Sequence, residues 1–259
     1  MKLSKDRRFT PLFDAGSGMG KGSGLGQEPG GTFVPTDIPD MKMWLDATDC
    51  GHIIEGSRIP LWPDLSGNGN SPANGATFSQ PILRSGFRNG LNVIEWYLGG
   101  SQSLNKVFTA PYAQPNTMLM VANYTKGATG FFYDSAIGVG TDRHAAFVDY
   151  APAPDVFTMY AGSSAPTTPS TPYENDWHLF NMSYNGAGSV LRIDGVQLGT
   201  GDCGSQPMGS IGLGCAYIQS VTFLKGFTAE FLLYNKELTA GERSDVEQYL
   251  ADKWGITIP

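Results

Sequence analysis

An all-β sandwich closed by a single C-terminal helix is the fold class this sequence predicts, and three observations carry the prediction. Glycine (34) and proline (17) are abundant among 259 residues while only 16% are charged, a balance of many turns between weakly charged segments. Aromatic residues make up 12%, and such side chains favour strands. A helical period with a start and a stop is visible only after Thr239. The length suits one large β-domain or two small domains, and all-β sandwiches of this size are common as a single unit.

The first 39 residues differ from the rest. KDRR at 5–8 is followed by a stretch dense in glycine and proline, too poor in apolar surface to fold alone. It still carries spaced apolar groups, Phe9, Leu12, Phe13, Leu25 and Phe33 among them. Two readings are open, a disordered leader or a docking arm that orders when these side chains fill pockets on a partner. The expected division is therefore an extended arm over 1–39 and a sandwich over 40–259.

Period-two alternation predicts strands at 41–46, 90–96, 117–124, 130–133, 145–150, 156–161 and 177–184, with a second apolar edge at 59–62. Gly99-Gly100 predicts a turn before SQSL. The polar, proline-rich run 163–172 predicts an exposed irregular loop. NGAG at 185–188 and Asp194-Gly195 predict tight turns on either side of a short strand, and 211–213 and 221–224 predict two more. In 226–234, Phe227, Ala229, Phe231 and Leu233 alternate with Thr228, Glu230, Leu232 and Tyr234. Thr239 and Glu242 then form a capping box, Val246, Tyr249, Leu250 and Trp254 share one helical face, and Gly255 supplies the left-handed stop. The opposite face carries Arg243, Asp245, Glu247 and Asp252.

Several function classes are disfavoured at once. The formal charge is −7, with no basic cluster beyond residues 2–8, which argues against nucleic acid. Without an apolar h-region in 1–31 or a run of ~18 apolar residues, no signal peptide and no membrane span are expected. Cys50, Cys203 and Cys215 have no metal spacing, and their odd number argues against a disulfide framework, although Cys203 and Cys215 could meet across a hairpin. In WPDLSGNGN (62–70), Asp64, Ser66, Asn68 and Asn70 suit a loop that bonds its own backbone. The alternative is a Ca²⁺ loop, which has one carboxylate and lacks a closing Glu.

Two stretches, WHLFNMSYNGAGSVLRIDGVQLGTG (177–201) and GFTAEFLLYNKELTAGERSDVEQYLADKWGI (226–256), resemble the closing half of a laminin-G-like, concanavalin A-like jelly-roll domain. The matching positions are Trp177, His178, Asp194, Gly195, Glu230, Tyr234, Asn235, Leu238 and Thr239. Segments 41–49, 62–70 and 89–96 are similar to the start of such domains in phage and bacterial surface proteins. The resemblance implies a concanavalin A-like jelly-roll β-sandwich from about residue 40 to the C-terminus. Since similar domains occur in tailed-phage virions, it also implies a non-enzymatic virion structural protein, as capsid decoration, head fibre or tail part, without cofactor. Its arm would bind other virion proteins and the sandwich would form a homo-oligomer, assembled in the host cytoplasm.

Jelly rolls also host lectins and hydrolases. A retaining glycosidase needs two carboxylates about 5–5.5 Å apart, and no E-x-D-x-x-E run is present. Asp149 and Asp155 are separated by prolines and Glu95 has no acidic neighbour. His52, His144 and His178 stand in unrelated contexts, without a G-x-S-x-G elbow. Binding of a host glycan is the main alternative function, with Tyr150, Tyr160 and Tyr173 as candidate stacking rings.

Overall fold

Every strand ladder among the described residues is antiparallel, and the ladders separate into two sheets. The computed structural model describes residues 32–50, 53–97, 101–125, 129–135, 142–149, 156–216 and 222–259, and 33–259 form one compact unit. Strands are numbered in chain order. The larger sheet runs β12 (Val196–Gly201), β11 (Ser189–Ile193), β10 (Trp177–Tyr184), β5 (Asn116–Tyr124), β14 (Gly226–Tyr234), β3 (Leu91–Trp96), β2 (Ile82–Arg88), with β1 (Met41–Asp46) also paired to β14. The smaller runs β4 (Leu104–Tyr112), β13 (Met208–Leu213), β6 (Gly130–Asp134), β7 (Ala145–Asp149), β8 (Val156–Tyr160), β9 (Ser164–Pro169).

The period of two sorts β5 between two apolar layers, whereas in β14 a register shift between Thr228 and Glu230 breaks the alternation expected from the sequence, so Phe227 and Ala229 face away from Phe231 and Leu233. Met118, Met120, Ala122, Phe231 and Leu233 enter the core between the sheets. Leu119, Val121, Ala229, Leu232 and Tyr234 lie on the other side of the larger sheet, in a second cluster completed by Val246, Leu250 and Trp254 of helix α1 (Ala240–Trp254). Both faces of the central strands are thus buried, which is why they read as continuous apolar runs.

The helix ends follow local chemistry. Thr239 Oγ1 accepts from Glu242 N at 3.3 Å, Glu242 Oε2 accepts from Thr239 N at 2.9 Å, and Gly255 adopts φ +63. Arg88 donates to the carbonyls of Trp254 (2.7 Å) and Gly255 (2.6 Å), and Asn89 to that of Lys253 (2.8 Å). A cation here also complements the helix dipole. Phe33 packs edge-on to Tyr249 with centroids 5.9 Å apart, and Tyr234 donates to Pro35 O.

Several further expectations are corrected. Residues 163–172 contain β9, whose prolines are tolerated because it is a sheet edge that owes few ladder bonds. Residues 59–62 contribute only an isolated bridge, Leu61 to Ala73, and in 222–224 Phe223 makes only isolated bridges to Phe131 and Cys215. Glu247, placed by periodicity on the solvent side, is 4% exposed, because Arg192 and Asn181 reach up to it from the sheet. Cys50, Cys203 and Cys215 are buried free thiols, so of the two readings open for Cys203 and Cys215 the unpaired one applies. The Gly99-Gly100 turn lies outside the described residues.

Candidate ligand-binding faces

On the smaller sheet, Ala146 and Val148 of β7 and Phe157 and Met159 of β8 point into the core. The alternate residues Phe147, Thr158 and Tyr160 therefore face outward. Register sets Phe131, Phe147 and Thr158 opposite one another on successive strands. The Phe131 and Phe147 rings stack with centroids 4.7 Å apart. Tyr160, across from Ala145, lies beneath the Arg143 guanidinium, 4.6 Å from its centroid. Arg143 is held by a two-point bond to the fully buried Asp134, both contacts 2.7 Å. A buried acid thus orients a guanidinium, and the guanidinium covers a ring, fixing the patch before any ligand arrives.

A second polar feature lies on the outer face of the larger sheet. A furrow runs between β10, β11 and β12 and the start of α1. Its lining includes Thr117, Asn181, Ser183, Arg192, Gln197 and Arg243.

Of the residues singled out from sequence, Tyr160 lies in the first patch. Tyr173 is elsewhere, in a turn before β10, half-buried and edge-on to His178 at 5.2 Å. Phe33 contacts Tyr249 within the chain. Phe9, Leu12, Phe13, Leu25, Tyr150, His52 and Asp155 lie outside the described residues. The sequence reading missed Phe131, Phe147, Asp134 and Arg143. Alternation in β7 marks Phe147, but no local signal joins Arg143 to Asp134 and Tyr160.

The remaining candidates have structural settings. Asp64 Oδ1 accepts from the amides of Trp44 and Ser66, both at 3.0 Å, and Oδ2 from that of Asn70 at 2.7 Å. The Asn68 and Asn70 amides donate to carbonyls of β1, so the 62–70 loop spends its polar groups on its own attachment. Among the described residues no group of three or more His, Cys, Asp or Glu gathers to hold a metal, and no helix is long and apolar enough to cross a membrane. Glu95 is held by Arg84 at 2.7 and 2.6 Å on the larger sheet, whereas Asp149 is on the smaller. His178 bonds Asp194 through Nδ1 at 2.5 Å, and Asp194 also accepts from Leu179 N.

His144 is fully buried, stacked on Tyr184 at 4.6 Å, and its Nε2 donates to Gln206 O at 2.6 Å. Burial pushes its pKa down to about 4. Because the folded value lies below the unfolded one near 6.5, its stabilising contribution is complete above pH 6.5 and is lost as pH falls toward 4. The expected loss across that window is about 3 kcal/mol. Urea titrations at stepped pH should show it in the native chain and show it diminished in His144→Phe; equal slopes would refute the assignment.

No family model matches the sequence, and no curated protein matches it. Solved structures do match. Domain 4 of an extracellular arabinanase from Geobacillus stearothermophilus, in complex with arabinotriose, superposes with TM-score 0.52 at 13% identity over 81% of this chain and 98% of that one. The shared fold is a sandwich of two antiparallel β-sheets. The receptor binding domain of botulinum neurotoxin D matches with TM-score 0.60 at 11% identity, over 87% of this chain and 57% of that one. The serotype D ligand binding domain, in complex with N-acetylneuraminic acid, matches with TM-score 0.56 at 11% identity, over 84% and 54%. The chain thus spans just over half the length of the two neurotoxin domains. At these identities the likeness establishes the sandwich and carries no side chain across.

Proposed function

We propose that the chain is a non-enzymatic saccharide-recognition module of a larger particle, carried by its glycine-rich arm. The observation that carries the reading is the outward patch of Phe131, Phe147 and Tyr160 beside the Arg143–Asp134 pair. Aromatic faces stack on the apolar side of a pyranose, and the neighbouring polar groups bond its hydroxyls. Two of the matching structures were solved with arabinotriose and with N-acetylneuraminic acid, in keeping with this use of the fold. The separation of Glu95 from Asp149 on different sheets favours binding over hydrolysis.

The tethering half of the proposal rests on the composition of residues 1–39. A virion of the tailed-phage type is the particle we propose, with the arm against other virion proteins and the sandwich displayed as a homo-oligomer. No cofactor is needed for this role, and assembly would take place in the host cytoplasm.

A glycan array, run with and without Ca²⁺, tests the binding. Tyr160→Ala should weaken any glycan captured by the native chain about tenfold or more, a loss of about 1.4 kcal/mol. Undiminished capture would move the site away from this patch, and cleavage of the captured glycan would overturn the non-enzymatic assignment. Removal of residues 1–32, which leaves the packed Phe33 in place, should abolish incorporation into particles without unfolding the sandwich.

A further inference from the structure

The furrow beside α1 has features that stability does not explain. Ser183 lies between Met182 and Tyr184, both of which point into the core between the sheets, so its hydroxyl faces the furrow. The residue is only 9% exposed, and Oγ has no hydrogen-bond partner among the described residues. A buried hydroxyl without a partner costs free energy, and such groups call for a bonding role.

Arg243 is the second feature. It sits in the first turn of α1, where a cation opposes the helix dipole, is half-buried, and among the described residues has no carboxylate within ion-pair distance. Of the other charges near it, Arg192 and Lys236 are paired with carboxylates, while Glu237, which also lines the furrow, is bonded to a neutral amide. Arg192 meets Glu247 at 3.2 Å, and Glu247 also accepts from Asn181 at 2.7 Å. Lys236 meets Glu242 at 2.7 Å. Glu237, on the exposed rim, accepts from Asn185 Nδ2 at 2.9 Å. One uncompensated guanidinium therefore overlooks a floor of hydroxyl and amide groups.

We propose that this furrow binds the carboxylate of an acidic saccharide residue. Arg243 takes the carboxylate in a two-point bond, while Ser183, Asn181 and Gln197 bond ring hydroxyls. The saccharide character of the ligand rests on the function proposed above; the furrow itself is on the other sheet from the Tyr160 patch and is a separate site.

The test is chemical-shift titration of the full chain with D-glucuronate, D-glucose and acetate as probes. Glucuronate should shift the Ser183 amide and the Arg243 Nε–H saturably, at least about tenfold more tightly than either glucose or acetate. Arg243→Gln should weaken glucuronate about tenfold with an unchanged unfolding midpoint, and Ser183→Ala should weaken it by a smaller factor. No saturable shift in the furrow, or an Arg243→Gln variant that binds glucuronate as the native chain does, would overturn the proposal. Equal affinity for acetate would overturn its saccharide part. Glycan capture that depends on Tyr160 while the furrow stays silent would sink this inference alone; furrow binding without array capture would sink the Tyr160 patch alone.

Discussion

Replacing Glu230 with Ala is expected to destabilise the sandwich by about 3–5 kcal/mol, as removal of one member of a buried charged cluster does. Glu230 is fully buried, and each carboxylate oxygen receives two donors. Oε1 accepts from Trp44 Nε1 at 2.7 Å and Tyr249 OH at 3.0 Å; Oε2 accepts from Lys253 Nζ and Trp254 Nε1, both at 2.7 Å. Burial pushes this carboxyl up against the opposing pull of Lys253. Strand β1, strand β14 and helix α1 all meet at this one side chain. A Gln cannot stand in for it, because its NH₂ would face two donors wherever the amide is turned. Glu230→Gln should therefore approach the cost of Glu230→Ala in urea unfolding. A Gln variant within about 0.5 kcal/mol of the native chain would show that the four donors do not depend on the charge.

Position 230 also shows what was legible in the sequence. Its place in an alternating strand was readable, and so was the helix that follows, because Thr239, Glu242 and Gly255 act within a few residues of themselves. The role of Glu230 was not, since Trp44 lies 186 residues away and nothing local announces the contact. Glu247 was misplaced for the same reason: a helical wheel measures distance from one axis and is blind to an arginine rising from a neighbouring sheet.

The strands that escaped the sequence reading have a common cause. β2, β4 and β9 are edges of their sheets. An edge strand has a ladder partner on one side and often an open face, so its sequence is free to hold polar residues, glycine and proline. β2 reads ILRSGFR and β9 reads SAPTTP. Central strands such as β5 are covered on both faces and announced themselves by TMLMVANY alone. The candidate faces suffered more, because Arg143 with Tyr160, and Arg243 with Ser183, are joined only by the pairing of distant strands and the seat of the helix.

Trp254→Ala should cost about 3–5 kcal/mol, the range for emptying a large aromatic site. Its side chain has no exposure and packs with Val246 and Leu250 in the cluster above β5 and β14. Two terms contribute, loss of the ring volume and loss of the indole N–H bond to Glu230, and Trp254→Phe separates them. The phenylalanine keeps most of the apolar contact but leaves Oε2 of Glu230 with Lys253 alone, a loss of about 1.5–3 kcal/mol for a bond to a charged group. If the bond matters, the effects of Trp254→Phe and Glu230→Gln should fall short of additivity in the double variant, since both break it. Full additivity would mean that the helix is held by its apolar face alone, and that the buried carboxylate serves β1 and β14 independently of it.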